Sequence, residues 1–166
     1  MYQKGMGEKP IKRNKNIAKL SRDHHASLMF CWKLRHGIKF QILPERMINY
    51  VTYFTTNHLN PHFKEEEEIL FAPLKDDKVQ RAINEHVLIK NIIQKIPDLS
   101  QENQIKELAA LADLVDAHVR YEERILFPHL EKELTEEQLE NIGKIIKDDP
   151  LKDNYPDDFW VKKPNS

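Results

Sequence analysis

The 166-residue chain has a single cysteine, Cys31, and only four glycines. One thiol excludes a disulfide within the chain and makes a reducing cytoplasm the expected setting. With little glycine and no sustained alternation of apolar and polar residues, strands and hairpins are not signalled. No apolar stretch approaches the length needed to cross a bilayer, and Met1 to Leu20 lacks the apolar run of a secretory signal. An excess of one charge is also missing. The chain has 26 Lys and Arg against 27 Asp and Glu, a net charge of −1, which argues against nucleic acid or membrane as a partner for the whole surface. One local bias remains: Lys4, Lys9, Lys12, Arg13, Lys15 and Lys19 crowd the start, with Glu8 as the only acid. Residues 1–16 are therefore expected to be a flexible, solvated basic segment.

Apolar residues recur at threes and fours, the period of helices. A first helix carries Ile17, Leu20, His24, Leu28, Cys31 and Leu34 on one stripe, with Asn16 or Ser21 as N-cap and Gly37 suited to its C-terminal cap. Pro44 opens a second, with the seam Ile48, Val51, Thr55, His58, His62, Glu66 and Ile69. Pro61 interrupts that seam and predicts either a kink or a break into two helices. Asp76 and Asp77 can cap a third helix ending at Pro97, Ser100 opens a fourth, and Thr135-Glu-Glu-Gln138 is a capping box for a short fifth. The expected fold is all-α: an antiparallel up-down four-helix bundle over residues 17–148, the short extra helix included, followed by a C-terminal tail, 149–166. Tyr155, Phe159 and Trp160 could pin that tail to the bundle.

What the chain does have is an internal repeat. His62-Phe-Lys-Glu-Glu66-Glu67-Glu68-Ile-Leu-Phe71 returns as His118-Val-Arg-Tyr-Glu122-Glu123-Arg-Ile-Leu-Phe127. Residues four apart share a helix face, so each copy presents an imidazole and a carboxylate to the same partner. The first and third helices match each other too, with Asp23-His24 and Glu85-His86 each placing an acid before a seam histidine. Four helices thus bring His24, His62, His86 and His118 to the core, and two add Glu66 and Glu122. Two unpaired carboxylates are costly to bury unless cations balance them. Imidazole with carboxylate suits iron, zinc or manganese. Two six-coordinate ions need about twelve positions; four His, two bridging Glu and a shared oxo or hydroxo fill about ten, leaving about two open to a small molecule. His25 could replace or join His24, and His58, one turn before His62, could be a fifth ligand or a packed imidazole. The remaining acids of the run, Glu65, Glu67, Glu68 and Glu123, read as a solvated face. A bundle of buried His–Glu pairs without metal is the plainer alternative.

The motifs Asp23-His24-His25, His62-Phe63-x-x-Glu66-Glu67-x-x-Leu70-Phe71, Glu85-His86 and His118-x-x-x-Glu122-Glu123-x-x-Leu126-Phe127-Pro128 resemble the hemerythrin-like family, the HHE cation-binding domain, over Leu20 to about Leu130. That resemblance implies a four-helix bundle holding two iron ions, with His24, His62, Glu66, His86, His118 and Glu122 as ligands. Its oxygen carriers have a second histidine one turn after that on the third helix, where this chain has Lys90, and a different acidic spacing on the last helix. The departures point to the family's functionally mixed branch. The expected partner is a small diatomic or peroxide, in sensing, detoxification or iron handling. Turnover of peroxide or nitrite, or iron donation to damaged iron–sulfur clusters, is the enzymatic alternative; a metal-stabilised interaction bundle is the structural one.

Overall fold

The computed structural model describes residues 12–149 and 153–164, whose regular elements are all helices, with no strand among them; the last helix ends at Ile145. Helix α1 spans Ala18–Lys39. A second rod, residues 44–70, joins α2 (Pro44–Phe54), a π-helical turn (Thr55–Leu59), α3 (Asn60–Glu65) and another π turn (Glu66–Leu70). Helix α4 (Asp77–Lys95) ends in a 3₁₀ turn, Ile96–Asp98. The fourth rod joins α5 (Gln101–Tyr121), a π turn (Glu122–Leu126) and α6 (Phe127–Glu133), and α7 (Glu136–Ile145) follows.

Three starts carry the expected side-chain caps. Asp76 accepts from the Val79 N–H, Ser100 from the Asn103 N–H, and Thr135 with Gln138 forms the reciprocal box. The start of α1 does not. Its N-cap is Ile17, whose N–H donates to the Asn14 carbonyl, while the Ser21 hydroxyl is used elsewhere. Gly37 is not the C-cap either: the helix continues to Lys39, and the left-handed residue is Gln41, at φ 56°. Gly37 is instead a notch. A Cβ there would stand 2.7 Å from Met47 Sδ and 2.9 Å from the Phe159 ring.

Pro61 does not break the second rod. A proline ring clashes with the carbonyl four residues back and offers no N–H. The π turn just before it closes from the Asn60 N–H to the Thr55 carbonyl, and the helical backbone runs on.

Two apolar clusters flank one polar layer. Along α1 the order is Ile17 and Leu20, then His24, then Phe30, Cys31 and Leu34; along the second rod it reverses, from Tyr50 and Phe54 through His62 and Glu66 to Leu70 and Phe71. Helix α4 repeats the first order (Val79, His86, Ile89) and the fourth rod the second (Leu111, His118, Glu122, Phe127). Phe159 is 1% exposed and joins the cluster around Tyr50, a burial worth about 1.5–3 kcal/mol. Its segment is further held by Asp153, which accepts from Lys33 (2.7 Å) and Tyr50 (2.6 Å), and by the Arg46–Asp157 pair. At the other terminus Arg13 pairs with Glu131 and Glu123; the earlier lysines, Lys4 and Lys9, lie outside the described residues. No helix among the described residues is long and apolar enough to cross a membrane.

Candidate metal centre

Each rod crosses the polar layer once, so each contributes one turn's worth of side chains to it. His24 comes from α1, His62 and Glu66 from the second rod, His86 from α4, and His118 and Glu122 from the fourth; all six are at most 3% exposed. They fall into two sets. His24, His62, Glu66 and Glu122 can bring ligand atoms within 4.8 Å of one another, as can Glu66, His86, His118 and Glu122. The two glutamates belong to both. Glu66 Oε1 lies between His62 Nε2 (3.2 Å) and His86 Nε2 (3.3 Å), and Glu122 Oε1 between His24 Nε2 (3.4 Å) and His118 Nε2 (2.6 Å).

These N···O approaches lack hydrogen-bond geometry. Among the described residues, eight buried side-chain polar atoms have no hydrogen-bond partner, and six belong here: His24 Nε2, His62 Nε2 and all four oxygens of Glu66 and Glu122. Buried polar atoms are ordinarily satisfied. Six such atoms gathered in the polar layer, divided between the two sets, fit the donors of a metal site, and the all-N/O donor set fits iron, zinc or manganese.

The outward side of each imidazole is fully engaged. Each Nδ1 faces a carboxylate: His24 that of Glu123 at 2.6 Å, His62 that of Asp23 at 3.1 Å, His86 that of Glu67 at 2.8 Å, and His118 that of Glu85 at 2.8 Å. Donating from Nδ1 fixes the tautomer that leaves the Nε2 lone pair pointing inward. The pattern has a direction. Every supporting acid is the chain neighbour of one inward residue, yet it serves the histidine of the next rod. Asp23, beside His24, holds His62; Glu67, beside Glu66, holds His86; Glu85, beside His86, holds His118; Glu123, beside Glu122, closes the cycle on His24.

A third layer neutralises these acids. Lys19 lies 2.9 Å from Asp23, Arg81 3.2 Å from Glu85 and Arg13 2.9 Å from Glu123, while the charge of Lys90 acts on Glu67. The oxygens of the two central glutamates have no hydrogen-bonding cation among the described residues. Burial works to raise the Glu66 pKa, but the imidazoles of His62, His24 and His86 outweigh it and hold the carboxyl well below its usual range. The imidazoles move the opposite way. Burial disfavours their protonation, yet the facing carboxylates raise His24 and His86, bring His62 to about 9 and His118 to about 10.

The π turns explain the Ile-Leu-Phe spacing of the repeat. Each begins at a central glutamate and closes over five residues, from the Phe71 N–H to the Glu66 carbonyl and from the Phe127 N–H to that of Glu122. The widened turn returns each phenyl to the glutamate's side of the rod, where Phe71 faces His86 at 6.3 Å and Phe127 faces His24 at 5.1 Å.

His25 is exposed and belongs to neither set. His58 is buried but also outside them; its Nε2 contacts the Asp23 carbonyl at 3.2 Å and the Ser27 hydroxyl at 3.4 Å. Glu67 and Glu123 are not merely a solvated face, since they orient His86 and His24. Their signal was the doubled Glu-Glu in each copy of the repeat.

Helices that bury four imidazoles around two shared carboxylates define a helical cation-binding protein. Over residues 16–130 the sequence matches the family model of the hemerythrin HHE cation-binding domain, and the chain belongs to that family. The match takes in all six inward residues and their four supporting acids. Comparison with curated proteins and with solved structures returns no match.

Proposed function

We propose that the protein would hold two iron ions, one in each four-residue set with Glu66 and Glu122 common to both, and that the centre so formed would bind or react with oxygen, nitric oxide or a peroxide. The carrying observation is the group of six inward atoms left without hydrogen bonds. Each set offers two imidazoles and two shared carboxylates, so a bridging oxygen would leave about one position open on each six-coordinate ion. Charge supports an anionic or reducible small ligand. The outer acids are balanced by Lys and Arg, so two dications against the two central carboxylates and a hydroxo group would leave about one positive charge at the centre. An antiparallel up-down arrangement of the four rods is part of this reading, supported by the alternating order of the apolar clusters along them.

In this arrangement bound iron would supply redox chemistry and open coordination sites. The chain would hold four Nε2 lone pairs inward through its Nδ1 hydrogen bonds and exclude bulk water with Phe71 and Phe127. Anaerobic reconstitution with ferrous iron tests the proposal. Two irons per chain and an optical change on adding oxygen or nitric oxide are expected; fewer than two irons, or no spectral response, would remove it.

A further inference from the structure

The two ion positions differ, and the difference traces to two places where the copies of the repeat diverge. Aligning His62 with His118 pairs His58 with Leu114 and Phe63 with Val119. Phe63 stacks on His86 with centroids 3.9 Å apart and planes 13° apart, and meets His118 edge-on at 5.9 Å. One phenyl therefore covers both imidazoles of one position. At the other, His62 borders a cavity of 640 Å³ whose wall includes Lys19, Asp23, His58, Glu65 and Asp149. His58 lies parallel to His62 at 5.7 Å and extends that wall, and Lys19 ties Asp23 (2.9 Å) to Glu65 (2.7 Å).

A departing cation must exchange protein donors for water or other polar groups, because crossing an apolar layer bare is prohibitively costly. Acids stand at the outer nitrogens of both positions, but only His62 has room for water beside it, in the cavity lined by His58 and Glu65, whereas the ring face of His86 is covered by Phe63. We infer that the two ions exchange separately. The ion held by His24 and His62 enters and leaves through the cavity, and the ion held by His86 and His118, behind Phe63, leaves second. This inference rests on the two-ion reading above.

Cobalt(II) serves as the probe. The protein is loaded with two cobalt ions and challenged with excess chelator, while released metal and the paramagnetically shifted imidazole N–H signals are followed. One ion per chain should leave in a fast phase and the second at least about tenfold more slowly. After the fast phase His86 and His118 should keep their shifted signals while His24 and His62 lose theirs. Asn57→Trp, at an exposed position on the cavity wall, should slow the fast phase alone. Phe63→Val, copying Val119, should bring the slow phase towards the fast one. Release in a single phase, loss of the His86 and His118 signals first, or an Asn57→Trp protein with both rates unchanged would overturn the inference. Uptake of fewer than two cobalt ions would instead overturn the two-ion reading itself.

Discussion

Cys31 sits wholly buried about two helical turns beyond His24 on the same face, and burial pushes its thiol up to about 12. A thiol is a weak nucleophile when protonated. Native protein at pH 8 should therefore resist iodoacetamide and react only on unfolding; labelling at the rate of a free thiol would contradict this. The supporting acids make a second prediction at the same scale. Glu85→Gln replaces the carboxylate that orients His118 by a neutral amide and should weaken metal binding about 10–100-fold in competition with a chromophoric chelator, with Glu85→Asp recovering part of the loss. The six inward residues could be picked out of the sequence because seam periodicity and the repeat agreed on each of them. Glu67 and Glu123 are marked only by the doubled Glu-Glu of the repeat, which does not assign their role, because half-exposed acids beside a helix look alike whether they face water or the nitrogen of a neighbouring rod. His24 and His25 differ only by about 100° around the helix, and the seam resolves that choice in favour of the residue the structure turns inward.

At the scale of elements, helix positions and most caps followed from the sequence, while the interruptions did not. Pro61 signalled a disturbance but not its form, since an i→i+5 closure depends on what the widened turn can pack against. Gly37 read as a stop because glycine commonly ends helices; its role depends on Phe159, more than a hundred residues away, approaching α1. Gly37→Ala should extend helical propensity locally yet destabilise the protein by about 1–3 kcal/mol, because the methyl overpacks Met47 and Phe159. Chemical denaturation measures this directly. An unchanged midpoint would mean that Phe159 contributes little to holding its segment.

For the whole molecule, the raised imidazole pKa values link stability to pH in the metal-free state. A histidine whose folded pKa lies above its unfolded value of about 6.5 stabilises the fold below that value and loses the contribution as pH rises through the folded pKa. With His62 at about 9 and His118 at about 10, metal-free protein should lose thermal stability between about pH 7 and pH 10. Metal reverses the slope, because binding requires neutral imidazoles and releases protons. Thermal melts with and without a dication across that range, paired with proton release on titration, check both signs. Flat melting temperatures in the metal-free series would mean that the imidazoles are neutral before metal arrives.

The direction of the acid-to-histidine bonds has a consequence for how such a chain could have been assembled. Two of the four links stay inside one half of the repeat, Asp23 to His62 and Glu85 to His118, while Glu67 to His86 and Glu123 to His24 join the halves. A lone hairpin would thus be left with one imidazole unsupported and one acid unused, and a second copy related by a twofold axis would satisfy both at once. The pattern of bonds is that of a homodimer whose partners have been tied into a single polypeptide.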